Sequence, residues 1–252
     1  MANWLITESE HYIFHYKEQS FAHQNIDSII PLQEQRFSEI TNKFPAKIPR
    51  KTEYWLCDSG EEIAALADDV PTNGLMCWDD DDTDAVSIYV VYNKTMQCNG
   101  YHEETHAISH FINEPTSSAL SEGLACFMEG NWWDIDNSLC TYLYIQNDKY
   151  ISVERLICDL GTDGDEYFFS LGCEITYPIM GAFVGYLLSI RSAKTFLKLY
   201  SYKGNDWKQE IETLYECSFE KLESDFINHI NLQTFKKEKI EQASLKLGIL
   251  NK

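Results

Sequence analysis

Residues 102–106 read His-Glu-Glu-Thr-His. Imidazoles at positions i and i+4 of a helix lie one turn apart on the same face. At that spacing both rings can reach one metal ion at about 2.0–2.1 Å. A glutamate directly after the first histidine points beside such an ion rather than at it, where its carboxylate can take a proton from a water that the metal activates. The expected chemistry is therefore zinc-assisted hydrolysis, with His102 and His106 as ligands and Glu103 as general base. Glu104, the next residue, is expected to face solvent. The plainer alternative is an exposed helix with two solvated histidines.

A zinc site of this kind needs a third protein ligand and an open fourth position. His110 lies two turns beyond His102, about 12 Å along the helix axis, too far to complete a tetrahedron with both histidines. The extended metzincin pattern needs glycine at 109 and histidine at 112, where this chain has Ser109 and Ile112. Glu122 remains, on a separate helix after a Pro-containing turn. Two helices joined by such a turn can set Glu122 opposite the histidines. The small residues Gly123 and Ala125 are expected to let this helix approach the histidine helix closely. A solvated surface glutamate is the ordinary fate of such a residue.

Elements must exist to position these groups. Residues 12–16 alternate as a strand, and 26–44 carry apolar residues at helical spacing. Residues 52–57 (TEYWLC) form a short strand, and Ser59 with Glu61 and Glu62 opens a short helix. Residues 79–84 form an acidic turn, which lacks the glycine and distal glutamate of a calcium loop and reads as solvated. Residues 85–92 (AVSIYVVY) make the strongest strand. A helix is expected over about 97–113, stopping before Pro115. Another follows the Thr116-Ser117-Ser118 capping cluster and ends near Glu129. A third is expected to begin at Pro178, a favoured first helical residue. One or two more helices should fill 219–250. Mixed α and β first, then helices, predicts an α+β fold with two lobes, 1–113 and 114–252. Trp132 and Trp133 are expected either in the core or on the wall of a substrate pocket.

His-Glu-x-x-His followed by Glu122-Gly123-Leu124-Ala125 resembles the signature of the gluzincins, clan MA metallopeptidases. The chain is most similar to bacterial peptidase-MA-like domains, relatives of the aminopeptidase and glycyl-aminopeptidase families. Segments 9–16, 54–62, 177–187 and 218–222 look like further parts of such domains, so the resemblance spans roughly the whole chain. It implies a single zincin-like catalytic domain over 1–252, with an edge strand in the first lobe and the active site in the cleft between the lobes. It implies a peptide or protein substrate and one zinc ion. It also implies that Tyr177, just before the downstream helix, donates a hydrogen bond to the tetrahedral intermediate, a role that a phenol at a helix N-terminus suits. Residues 85–92 take the place of the strand that binds extended substrate by strand addition. Two departures stand out. Gly74-Leu75-Met76-Cys77-Trp78 lacks the glutamate with which aminopeptidases grip a free amine. Cys126 stands where thermolysin-like relatives have an aspartate, so a carboxylate or carbonyl orienting the histidines must come from elsewhere, with Glu129 one candidate. A binding or regulatory protein that kept this scaffold without activity would carry the same residues.

The bulk numbers fit. At 252 residues, 44% hydrophobic and 24% charged, the chain is long and apolar enough to fold as a globular protein. Its formal net charge of −20 argues against nucleic acid and anionic membranes as partners. Eight scattered cysteines without a Cys-x-x-Cys pair read as reduced thiols. The start lacks the pattern of a signal peptide, and the apolar stretch 175–190 is interrupted by Pro178, Gly181 and Gly185. A cytoplasmic location is the resulting expectation. Oligomeric state is open.

Overall fold

The computed structural model of the chain describes residues 3–79, 81–113, 117–158 and 164–249. Asp80, and Glu114, Pro115 and Thr116 of the expected stop and cap, lie outside them, as does Leu250. The chain divides into two compact units, Met1–Glu114 and Pro115–Lys252. Strands and helices mix in the first, and the second is mainly helical, as an α+β pattern requires.

The first unit is built on a five-stranded sheet in the order β1-β2-β3-β5-β4. Its elements are β1 (Trp4–Glu8), β2 (Tyr12–Lys17), α1 (Phe21–Lys43), β3 (Thr52–Cys57), α2 (Gly60–Ala67), β4 (Gly74–Asp79), β5 (Asp82–Val91) and α3 (His102–His110). The central strands β2, β3 and β5 are parallel, and β1 and β4 run antiparallel at the two edges. Successive side chains alternate across the sheet. Tyr12, Phe14, Tyr54 and Ile88 are buried on one face, where Phe37 of α1 meets the Tyr12 ring edge-on. On the other face Cys57, Tyr89 and Val91 pack with Ile63 of α2. There His15, Trp55 and Tyr89 sit in register on three neighbouring strands and stack ring on ring.

Two expectations change here. The strand at 85–92 lies within β5, which is paired on both sides, so its backbone is not open for strand addition. The open edge on that side belongs to β4, in the segment Gly74–Asp79. The helix expected from 97 starts only at His102, because the preceding residues are used otherwise. Gln97 bridges Tyr92, the Cys98 N–H donates to Val91, and the Asn99 carbonyl accepts from Arg36 of α1.

The second unit contains α4 (Ser118–Glu129), β6 (Asn131–Trp132), β7 (Ile135–Asp136), α5 (Asn137–Gln146), α6 (Val153–Cys158), α7 (Gly164–Ser170), α8 (Cys173–Ile190), α9 (Ala193–Tyr200), α10 (Trp207–Tyr215), α11 (Phe219–Asn231) and α12 (Lys237–Lys246). Ser117 caps α4 by accepting from the Leu120 N–H. The central helix α8 buries Ile179, Met180, Phe183, Val184 and Leu187. It is the one helix among the described residues that is long and apolar enough to cross a membrane, and more than half of its apolar stretch is buried inside the protein, as in a core helix.

α8 begins five residues before Pro178. A proline inside a helix removes the hydrogen bond from its own N–H to the carbonyl four residues back. Here that carbonyl belongs to Glu174, and the Tyr144 hydroxyl donates to it at 2.6 Å. The buried tyrosine of α5 thus replaces the missing donor and lets the helix run through the proline.

Candidate metal centre

α3 places His102 and His106 one turn apart. Their Nε2 atoms are 3.3 Å apart and their rings meet edge-on, at 77°. A tetrahedral ion with metal–nitrogen bonds of about 2.0–2.1 Å spaces two ligand nitrogens about 3.3–3.4 Å apart. The pair is therefore set at the edge length of a zinc tetrahedron. One ligand atom each from His102, His106 and Glu122 lie within 4.8 Å of one another, and all three residues are partly buried. Two imidazole nitrogens and one carboxylate oxygen form a donor set that suits zinc in a site with an open position. His110 does not join them: its Nε2 lies 2.9 Å from the Thr83 carbonyl and its ring stacks on Trp78.

Glu103 is partly buried and lies against the start of β4. A Cβ at Gly74 would overlap its Oε1 and sit 3.0 Å from both Cγ and Cδ. Gly74 thus leaves the space that the carboxylate occupies, a role that a sequence reading centred on residues 102–106 does not reveal. We expect Gly74→Ala to move the Glu103 carboxylate while leaving the fold intact, because the clash falls on the far end of a flexible side chain. The unfolding free energy should change by less than about 1 kcal/mol. Any hydrolytic kcat should fall by about tenfold or more, since misplacing a general base is costly. Equal kcat in variant and wild type would show that this contact does not set the base.

Glu104 departs from expectation. It is 1% exposed, and its carboxylate accepts from the Tyr12 hydroxyl of β2 and, at 2.7 Å, from Gln33 Nε2 of α1. Gln33 in turn accepts from Arg36. Burial pushes the Glu104 carboxyl up to about 8, against the opposing pull of the Tyr12 hydrogen bond and the Arg36 charge. Of the two glutamates in the motif, one fills the space at Gly74 of β4 and the other, one residue on, ties α3 to the sheet and to α1.

Glu122 and Tyr177 come from α4 and α8, which cross closely. A Cβ at Gly123 would lie 2.9 Å from Val184 Cγ2 and 3.0 Å from the Met180 carbonyl, and one at Gly181 would lie 2.8 Å from Cys126 Cβ. The smallness of Gly123 thus serves contact with α8. Tyr177 is inside α8, not at its N-terminus, and its hydroxyl hydrogen-bonds the Glu122 carboxylate. Burial first, then the Glu122 charge, raises the phenol far above its ordinary range, so it is held as a proton donor. The Tyr177 ring is itself fixed between Trp132, edge-on at 5.5 Å, and Phe168, stacked at 6.1 Å. Cys126 is buried in the α4–α8 packing.

No family model matches the chain, and no curated protein matches it.

Proposed function

We propose that this protein is a zinc-dependent peptidase with a zincin-like fold of the gluzincin kind. The observation that carries the proposal is the gathering of ligand atoms from His102, His106 and Glu122 within 4.8 Å, with the two imidazole nitrogens at tetrahedral spacing. Those three residues would hold the ion. Zinc, when bound, would supply Lewis acidity that brings the pKa of a coordinated water toward ~7.

The chain's own residues supply the rest. Glu103 takes a proton from the attacking water and delivers it to the leaving amine. Tyr177 keeps its proton and donates a hydrogen bond to the Glu122 carboxylate; to serve the developing oxyanion, as the resemblance implies, its single O–H would have to turn from Glu122 to the substrate. The open edge of β4 begins at Gly74, beside Glu103. An extended peptide paired to this edge would pass the base, so β4 takes over the strand-addition role that the sequence suggested for residues 85–92. The seven cysteines with described side chains form no disulfide, which fits a reducing compartment such as the cytoplasm.

The test has two arms. Metal analysis of the purified protein should find about one zinc per chain, lost from His106→Ala. The wild type should cleave an unfolded polypeptide, with activity removed by 1,10-phenanthroline and restored by added zinc. Failure to bind zinc on reconstitution, or cleavage indifferent to the chelator, would overturn the proposal.

A further inference from the structure

We infer that the helical unit carries a second binding site, which takes an aromatic group with a carboxylate a few atoms from the ring. This site is independent of the metal-site reading. A cavity of about 390 Å³ lies against the β6–β7 hairpin, α5, and parts of α8 and α12. Its apolar wall includes Trp132, Trp133, Tyr144 and Ile175, and Lys149 and Lys246 also line it. The volume and the mixture of aromatic wall and few charged groups are those of a small-ligand pocket.

Three further observations point to a ligand. The first is backbone strain. Trp133 and Asp134 join the two short strands with φ of 47° and 66°. Two positive φ values mark the type I′ turn, whose usual residues are Asn-Gly. A bulky side chain is disfavoured in that region, and Trp133 is 51% exposed, so burial of its ring does not offset the strain. Such conformations gather at sites where the side chain serves a ligand.

The second is that the strained turn is braced in place. The Asp134 N–H donates to Asn131 Oδ1 at 2.9 Å. Lys246 Nζ donates to the Trp133 carbonyl at 3.3 Å and lies 3.5 Å from the Asp134 carboxylate. The tryptophan ring is therefore presented from a fixed backbone.

The third is Lys149. Asp148 has φ of 57°, and the Lys149 N–H closes onto the Tyr144 carbonyl at 2.9 Å. This is a Schellman closure of α5, which fixes where the lysine leaves the helix. Lys149 is exposed and, among the described residues, has no carboxylate partner. In a chain of net charge −20, a cation left uncompensated beside tryptophan rings is a specific arrangement. Glu174 also lines the cavity, but its carboxylate is turned back over Gly172, with Oε1 2.8 Å from where a Cβ would be. The rings supply stacking surface for an aromatic guest, and Lys149 supplies the counter-charge for its carboxylate.

The test uses the full-length protein in excess EDTA, so that carboxylate binding to zinc plays no part. The probes are N-acetyl-phenylalanine, its amide, N-acetylglycine and the blocked peptide acetyl-Gly-Phe-Asp-Gly-amide, followed by calorimetry. At least one carboxylate-bearing aromatic probe should bind tenfold or more tighter than both the amide and N-acetylglycine. Tighter binding of N-acetyl-phenylalanine identifies a terminal carboxylate as the target, and tighter binding of the peptide identifies an acidic residue after an aromatic one. Both outcomes support the site. Lys149→Gln, an exposed change with no fold to lose, should abolish the preference for acid over amide. Trp133→Gly, which suits the positive φ, should weaken the aromatic probes by tenfold or more. Binding by none of the probes, equal binding by all, or an acid preference untouched by Lys149→Gln would overturn the inference, whatever the fate of the peptidase reading.

Discussion

Glu103→Gln should bind zinc as tightly as the wild type and lose its hydrolytic activity. The residue is not one of the three whose ligand atoms gather, and its side chain occupies the space left by Gly74. Glutamine has nearly the same shape, so the ligand geometry and the packing against β4 should persist. Its amide cannot accept the proton. A positioned general base contributes typically about 10²–10⁴-fold, so kcat on an unfolded polypeptide should fall by at least ~10² with zinc stoichiometry unchanged. Metal analysis and kinetics on the same preparation check both halves. Wild-type kcat in the glutamine variant would remove Glu103 from the mechanism while leaving the metal site standing.

The largest effect on stability is expected at the neighbouring glutamate. Glu104→Ala would strand the Tyr12 hydroxyl and a Gln33 amide hydrogen in a buried setting. Each buried polar group left without a partner costs about 1–3 kcal/mol, and the lost side chain leaves a cavity besides. The expected destabilisation is about 3 kcal/mol or more, read from urea midpoints in the presence of chelator so that metal binding does not contribute. Glu104→Gln keeps the volume and can still accept from Gln33 while donating to the Tyr12 oxygen, so it should cost about 1 kcal/mol. The contrast between the two variants separates the hydrogen-bond network from simple occupancy. Matching midpoints for alanine and wild type would mean that the network does not hold α3 to the sheet.

These two predictions concern adjacent residues whose fates the sequence alone does not distinguish. In a helix, position 103 and position 104 differ only by a rotation of about 100°. Which side faces the sheet depends on partners far away in the chain, Tyr12 on β2 and Gln33 on α1. The pairing of His102 with His106, by contrast, was legible at once, because an i, i+4 relation is fixed within one helical turn. The strand at 52–57 and the helix that follows Ser59 were equally legible, since alternation and a capping serine are local signals. β1 is not legible in the sequence because a half-exposed edge strand has no clean alternation to read. The sequence points to a start of α8 at Pro178, a favoured first helical residue, whereas the distant Tyr144 hydroxyl satisfies the Glu174 carbonyl and the helix begins at Cys173.

The sequence by itself determined the chemistry on offer: two imidazoles at one-turn spacing, a glutamate next in sequence, a carboxylate sixteen residues on, and an acidic chain of net charge −20. These follow from residue type and from geometry within a turn or two of helix. Tertiary structure decided which glutamate is buried, that β4 rather than β5 has the open edge, that Gly74 makes room for Glu103, and that Tyr177 hydrogen-bonds Glu122 from inside a helix. Each of these depends on contacts between segments tens of residues apart, and local propensity carries no information about which distant side chain will be met.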